Sequence, residues 1–326
     1  MIFKSTLFIS VMTGSIIAGL IYQPAFAVSN QPNGLAVSPA VNNIQLKAGQ
    51  NTTTITENIA NITNTNLAVY ISTKDFSALN SSGSIGFYGS NYKISTNSHE
   101  LSSVIELPVN EIYIEAHKSQ SVTITINNLS TLSPGGHYAA LLFTPFISRN
   151  IQTNNQINVQ PAVASLIFLT TAGGGVKEIK SSGLSVASIG FTLPKNAYLL
   201  LSNTGNIQLT PYGIATLTDY RGVILSRDII NSNSGLILPS TSRLFNISFN
   251  NINDYLKPPG IYKIQIKYRY EGSSSYQTIN KYFFYLNPIF LVYIIIFYII
   301  VKYIIRSHRD LKPKPSTSSK IFTKKS

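Results

Sequence analysis

Residues 121–143 read SVTITINNLSTLSPGGHYAALLF, and residues 244–268 read LFNISFNNINDYLKPPGIYKIQIKY. Each stretch has an alternating strand, an Asn-rich segment, a Pro/Gly turn and a tyrosine that opens a second alternating strand. This alternation predicts antiparallel strands that bury one face. The side chains predicted to lie in the cores are Val122, Ile124, Ile126, Phe245, Ile247 and Phe249.

A second repeated unit precedes each of these stretches. Residues 54–76 read TITENIANITNTNLAVYISTKDF, and residues 198–220 read YLLLSNTGNIQLTPYGIATLTDY, with an Asn-Thr turn between two strand-like runs. Turn signals at this spacing are typical of an immunoglobulin-like sandwich. Tyr138 and Tyr262 are expected to cover the edges of the two cores. The fold class is therefore predicted to be all-β, with two tandem immunoglobulin-like domains and a C-terminal transmembrane helix.

The glycine run at 173–175 is the natural boundary between the two halves, because consecutive glycines hold a strand poorly. We predict a first domain at 28–172, a linker at 173–175 and a second, membrane-proximal domain at 176–287. Within the first domain, residues 75–100 are rich in Gly and Ser. They predict either a mobile loop or an inserted hairpin.

Both ends of the chain are hydrophobic. A signal peptide is predicted at 1–27, because Lys4 precedes an apolar region and Ala25-Phe26-Ala27 forms an A-x-A cleavage site. A transmembrane helix is predicted at 288–305, and Tyr282 to Tyr285 before it are expected in the aromatic belt of the membrane.

The formal net charge of +13 is distributed unevenly. Residues 302–326 carry eight Lys or Arg and one Asp, whereas residues 28–175 carry five basic and six acidic residues. A basic segment after an apolar helix is what the positive-inside rule requires of a cytoplasmic tail, here 306–326. We therefore expect a single-pass protein of the cell membrane with an extracytoplasmic body, and no nucleic acid as a partner.

The residues between the two hydrophobic ends form no recognisable catalytic or metal-binding motif. The chain has no cysteine, which excludes disulfides and thiolate chemistry. His137 is expected to be a solvated turn residue, and Glu111 and Glu115 are expected on an exposed strand face beside Tyr113. The segment Leu238–Thr241 predicts a turn before a strand. No catalytic residue, cofactor-binding residue, metal ligand or cofactor is predicted, and we expect a protein that is not an enzyme.

The basic residues of the second domain are the strongest electrostatic feature of the body. Lys263, Lys267 and Arg269 are expected on a solvent-facing surface near Lys257 and Lys281. Such a surface could attract an anionic wall polymer, lipid headgroups or an acidic protein. A solvated face near an anionic membrane is the simpler interpretation.

The chain resembles the WxL-interacting protein family, bacterial surface proteins with two immunoglobulin-like domains and a C-terminal transmembrane helix. The segments that carry this resemblance are LAVSPA (35–40), NITNTN (61–66), PGGHYAALLF (134–143), NTGNIQLTPYGIATLTDYRG (203–222), LPSTSRLF (238–245) and PPGIYKIQIKY (258–268). The resemblance implies peptidoglycan binding by the first domain, protein-partner binding by the second, and pairing with a secreted surface protein.

Three functions follow as expectations. The first is a membrane-anchored surface scaffold that binds cell-wall glycan through the first domain and a protein partner through the second. The alternative is a periplasmic-type assembly chaperone or structural subunit that acts by strand pairing. A third is an envelope hydrolase whose site follows no motif that the sequence reveals.

Overall fold

The computed structural model describes residues 34–88, 99–146, 162–250, 252 and 257–310. The predicted signal peptide at 1–27 and the tail beyond residue 310 lie outside the described residues. Within them the chain is mostly β-strand, arranged in four sheets that are followed by one helix.

The first ten strands build an N-terminal sandwich. They are β1 (Leu35–Ser38), β2 (Val41–Gln45), β3 (Thr53–Asn61), β4 (Leu67–Ala78), β5 (Ile85–Tyr88), β6 (Ile105–Glu106), β7 (Glu111–Ile114), β8 (Ser119–Ile126), β9 (Gly136–Phe146) and β10 (Val163–Thr170). One sheet has the order β1-β3-β8-β6, and the other has the order β2-β10-β9-β4-β5, with β7 also paired to β4. The inner faces of these sheets enclose one apolar core.

The remaining strands build a C-terminal sandwich. They are β11 (Ile179–Ser185), β12 (Ile189–Gly190), β13 (Asn196–Asn203), β14 (Pro211–Thr218), β15 (Ile224–Ile230), β16 (Ser242–Ser248), β17 (Gly260–Tyr270) and β18 (Gln277–Tyr285). Their sheets have the orders β11-β13-β16 and β12-β18-β17-β14-β15, and they share a second core. The two sandwich-like bodies agree with the all-β prediction.

The alternating residues behave as their pattern predicts. All six side chains named for the two cores are buried. The two strand-turn-strand units, however, do not form hairpins: β3 and β4 lie in opposite sheets, as do β13 and β14. Each Asn-Thr turn therefore carries the chain across its sandwich.

The segment at 75–100 begins as an inserted hairpin. β4 continues through Asp75 to Ala78 and pairs antiparallel with β5. The Asp75 carboxylate then accepts hydrogen bonds from the backbone N–H groups of Leu101 and Ser102, both at 2.8 Å. Residues 89–98 lie outside the described part of the chain.

The two tyrosines expected at the core edges occupy different places. Tyr262 is buried in the second core, and its hydroxyl donates to the carbonyl oxygen of Pro258 at 2.7 Å. Burial raises the pKa of Tyr262 to about 12. Tyr138 is also buried, but it alternates with core residues on β9 and faces away from the first core. The prediction for Tyr138 is therefore wrong.

Two buried asparagines hold equivalent turns. The Asn61 amide nitrogen lies within hydrogen-bonding distance of three carbonyl oxygens, among them that of Ile114 at 3.0 Å. The Asn203 amide nitrogen donates to the carbonyl oxygens of Ile207 and Ile237, at 2.7 and 2.9 Å. Each side chain thereby satisfies backbone groups that water does not reach.

A buried carboxyl group bridges the two sheets of the N-terminal sandwich. Glu57 on β3 is 0% exposed, and its Oε1 lies 2.6 Å from Asn42 Nδ2 and 2.8 Å from Ser165 Oγ. Ser165 Oγ also lies 2.8 Å from the carbonyl oxygen of Pro39. Burial, the largest cause, raises the pKa of Glu57, while the bonds from Ser165 and Asn42 oppose it. A protonated Glu57 can donate to Ser165, whose single hydrogen then bonds Pro39.

The helix α1 (Pro288–Asp310) follows directly after the second sandwich. Its Pro288–Arg306 segment has a mean hydropathy of 2.5 and none of it is buried, so length and composition would allow it to cross a membrane. Of the four residues expected in the aromatic belt, only Tyr282 and Phe284 are exposed. Phe283 and Tyr285 alternate with them and lie in the core, so the prediction is wrong for these two.

Replacing a turn asparagine should destabilise the fold. We expect Asn203→Ala to lower the free energy of unfolding by about 1–3 kcal/mol, because it leaves buried carbonyl groups unpaired. Chemical denaturation of the detergent-solubilised protein measures this change. Asn58→Ala, an exposed position on β3, is the control and should change the value by less than about 0.5 kcal/mol. Equal effects of the two substitutions would contradict the role given to Asn203.

Glu57 should make stability depend on pH. Because its folded-state pKa lies above the ordinary 4.5, the folded protein binds this proton more tightly than the unfolded chain does. The contribution is fully present below pH 4.5 and falls as the pH rises towards the folded-state pKa. Denaturation at a series of pH values should show this fall in wild type and not in Glu57→Gln, whereas the exposed control Glu111→Gln should retain it.

Candidate functional site

The outer edge of β2 presents backbone groups that no described strand pairs with. β2 runs parallel to β10 and is the terminal strand of its sheet. The carbonyl oxygen of Ala40 accepts from Leu166 N at 3.0 Å, and Leu46 N donates to the carbonyl oxygen of Thr170 at 2.9 Å. Since residues of a parallel strand bond alternately to either side, the even-numbered residues of β2 bond to β10.

The odd-numbered residues of β2 therefore direct their N–H and C=O groups away from the sheet. They are Val41, Asn43 and Gln45, and the side chains of all three are exposed. Three N–H and three C=O groups at alternate positions are the template that an added strand recognises.

A polar cleft of about 520 Å³ lies beside this edge, between the two sandwiches. Asn43, Gln45 and Thr170 line it from the first sandwich, and Lys177 and Glu271 line it from the second. One basic and one acidic side chain thus lie in the same cleft as the side chains of Asn43 and Gln45.

The two sandwiches are joined at an elbow centred on Asn206. Its amide nitrogen donates to the carbonyl oxygens of Pro134 and Gly174, both at 3.0 Å, and its side-chain oxygen accepts from Val176 N at 2.6 Å. Its backbone carbonyl accepts from Gly136 N at 2.8 Å. The glycine linker predicted as a hinge is therefore held by hydrogen bonds from one residue.

Gly135 is required at this elbow. Its φ is +133°, and a Cβ there would lie 2.7 Å from the Asn206 carbonyl oxygen. The Pro-Gly turn of the first repeated stretch thus allows the close approach of the two sandwiches, because only glycine fits between the two backbones.

An apolar cluster lies on the other side of the elbow. Phe76, Tyr138 and Phe168, on the outer face of the first sandwich, pack with Leu238 of the second. The Tyr138 hydroxyl donates to Gln208 Oε1 at 2.9 Å, and burial raises its pKa. Phe76, Phe168 and Leu238 also line a second cavity of about 220 Å³ whose walls are mainly apolar. Leu238 belongs to the segment predicted as a turn, and it does precede β16.

The prediction that His137 is a solvated turn residue is wrong. His137 is 1% exposed, and its ring nitrogens lie 3.1 Å from the Glu100 carbonyl oxygen and 2.9 Å from that of Ser133. It is therefore a buried structural residue rather than a solvated one. His99 comes within 6.2 Å of it, measured between ring centroids, and burial lowers the pKa of His99. Among the described residues, no group of three or more His, Asp or Glu could hold a metal ion.

The charged side chains fall partly where they were expected. Glu111, Tyr113 and Glu115 are exposed, as their spacing predicts. The basic residues predicted to share one surface with those of β17 do not all lie on the same face of the sheet. Lys281 pairs with the buried Ile264, so its side chain points to the opposite face of the sheet from Lys263, Lys267 and Arg269. Arg269 is held between two aromatic rings, with its guanidinium carbon 5.0 Å from the ring centroid of Tyr212 and 4.9 Å from that of Tyr276.

Two features of this region, one residue and one strand edge, were not predicted from the sequence. Asn206 was read only as part of a turn, although the segment NTGN repeats the Asn-Thr pattern of 61–66. The open edge of β2 was hidden because five residues with two adjacent asparagines give a weak strand signal.

Solved structures of pilus chaperones have a similar fold. A chain of the chaperone–tip adhesin complex of CFA/I fimbriae is 13% identical with a TM-score of 0.42, and the alignment covers 76% of this chain and 98% of that one. For the class 5 fimbriae chaperone CfaA the values are 11%, 0.40, 76% and 98%. For a chain of the Salmonella enterica SafA pilin–SafB chaperone complex they are 7%, 0.38, 76% and 94%. No family model and no curated protein matches the sequence.

The comparison overturns the main functional prediction, a surface scaffold that binds cell-wall glycan. The similar structures are described as fimbrial chaperones or their complexes, and none as a glycan-binding surface protein. The glycan prediction was wrong because it rested on turn and core residues such as those at 134–143, and these specify a sandwich rather than a ligand. The resemblance to the WxL-interacting family stays a prediction.

Removing the Asn206 side chain should loosen the elbow without unfolding the sandwiches. Asn206→Ala loses three hydrogen bonds at the linker, so we expect trypsin to cleave after the exposed Lys177 about tenfold faster. Gel electrophoresis during limited proteolysis measures the rate. Thr204→Ala is the control, because it removes only an exposed bond to Glu178. Equal rates in Asn206→Ala and wild type would show that this side chain does not hold the linker.

Proposed function

We propose that this chain is a membrane-anchored assembly chaperone or structural subunit that binds a polypeptide partner by strand addition. The observation that carries the proposal is the edge of β2, where Val41, Asn43 and Gln45 direct their backbone groups outward. A partner that offers an extended segment gains backbone hydrogen bonds there without any requirement for a particular side chain.

The cleft beside the edge restricts which partner segments can pair with β2. A strand paired with β2 would place side chains beside those of Asn43 and Gln45, which line the cleft together with Lys177 and Glu271. A polar or charged group of the partner finds hydrogen-bonding side chains there, whereas an apolar side chain would remove these polar groups from water without replacing their hydrogen bonds. We therefore propose a partner whose pairing segment has a polar residue at the position that enters the cleft.

The proposal includes two domains, at 28–172 and 176–287, and an extracytoplasmic body. Anchoring is assigned to 288–305, since an exposed apolar helix is stable in lipid and not in water. The basic tail at 306–326 supports a cytoplasmic C-terminus. Such an anchor would hold the open edge on the extracytoplasmic side of the membrane.

Strand addition can be tested with a pair of substitutions at one position. Asn43→Pro removes an outward N–H and places the proline ring at the edge, so we expect partner binding to weaken about tenfold. Asn43→Ala keeps the N–H and should bind like wild type. The yield of partner captured by a photo-crosslinking amino acid at Gln45, in cells that express the full chain, measures binding.

The same crosslinker at Tyr198 is the position control and should capture no partner. Tyr198 is exposed on β13, in the three-stranded sheet of the second sandwich. Melting temperatures of Asn43→Pro and Asn43→Ala should agree, since the Asn43 N–H takes no part in the bonds to β10. Equal crosslinking by the two variants would refute pairing at β2.

A further inference from the structure

The junction between the second sandwich and α1 is held by hydrogen bonds. Asn287 is 5% exposed, and its Oδ1 accepts from Ile289 N at 2.9 Å, which satisfies a free N–H at the helix start. Its Nδ2 donates to the carbonyl oxygen of Lys257 at 2.6 Å. Leu286 N donates to the carbonyl oxygen of Gly190 at 2.9 Å. The helix therefore leaves the sandwich in a fixed direction.

The strand ends nearest this junction carry a row of exposed apolar side chains. Ile261 on β17 lies opposite Phe284 on β18, and Phe284 lies opposite Ile189 on β12. Residues in register across neighbouring strands point to the same face. The three are 55%, 41% and 58% exposed, respectively. Tyr282 follows on the same face and is 60% exposed.

The turn between β14 and β15 lies at this same end of the sheet. β14 runs antiparallel to β17, with Thr218 opposite Lys263, so the turn that follows Thr218 is next to the start of β17. Tyr220 and Val223 in this turn are 63% and 51% exposed. The Arg221 side chain is also exposed and pairs with Asp219 at 3.0 Å.

The exposed side chains at this end of the sheet are those typical of a membrane interface. Tyrosine, apolar side chains and arginine together are typical of the interface between lipid headgroups and hydrocarbon, where rings lie among the headgroups and cations meet phosphate. In water the same residues would expose apolar area at a cost of roughly 25 cal/mol per Å². The surface is also continuous with the apolar helix, because Phe284 precedes Pro288 by only four residues.

We propose that this end of the five-stranded sheet is a membrane-contact surface, seated in the headgroup layer of the bilayer that α1 enters. The surface comprises Ile189, Tyr220, Val223, Ile261, Tyr282 and Phe284. The inference rests on the proposed membrane anchor and goes beyond it: the sandwich is held against the lipid surface rather than suspended above it on a linker.

The absence of tryptophan from the chain provides a direct test. Tyr220→Trp, Phe284→Trp, Tyr212→Trp and Phe297→Trp are each introduced into the full chain, which is reconstituted in phosphatidylcholine/phosphatidylglycerol vesicles. Lipids with a nitroxide on the headgroup or deep in the acyl chain then quench nearby tryptophan. Tyr212 is the matched control, because it lies on β14 six residues before the strand ends at Thr218, about 20 Å from the turn at the spacing of a strand.

We expect the headgroup nitroxide to reduce the emission of Tyr220→Trp and Phe284→Trp and to leave that of Tyr212→Trp unchanged. The deep nitroxide should quench Phe297→Trp, which reports the anchor. Quenching of Phe297→Trp alone would overturn the contact surface and leave the anchor in place. Quenching of Tyr212→Trp to the same extent as Tyr220→Trp would also overturn it. An unquenched Phe297→Trp would overturn the anchor and, with it, this inference.

Discussion

The parallel pairing of β2 with β10 determines which backbone groups of β2 face away from the sheet. Because Ala40 and Leu46 bond to β10, the residues between them alternate in a fixed phase, and the odd-numbered ones face outward. A shift of one residue would reverse every side chain and turn Asn42, which bonds to Glu57, out of the interior. The buried network at Glu57 therefore fixes which residues of the open edge direct their backbone groups outward.

Much of the fold could be predicted because alternation reports burial directly. The strands around Ile124 and Ile247 were found from period-two patterns, and the same rule separates exposed Phe284 from buried Phe283. The pattern does not say which sheet a strand joins or which elements it faces. For that reason Tyr138 was assigned to a core edge, although it packs between the two sandwiches.

The site could not be predicted because it consists of relations between distant segments. The role of Asn206 depends on Pro134 and Gly174, which are far from it in sequence and reach it only after both sandwiches have formed. His137 follows a Pro-Gly turn, a local signal of exposure, yet backbone carbonyls from two loops surround it. No sequence pattern identifies an open sheet edge, because it depends on which backbone groups remain unpaired after the strands have assembled.

Two asparagines hold the joints that connect the open edge of β2 to the rest of the chain. Asn206 ties the linker to the first sandwich, and Asn287 ties the helix to the second. In a chain with two flexible joints, the edge would sample many distances from the membrane, and each binding event would cost the entropy of fixing both joints. Hydrogen bonds at both joints remove that cost in advance. Under the proposed function, the position of β2 relative to the lipid would then be a property of the folded chain, and a partner would meet an edge already in place.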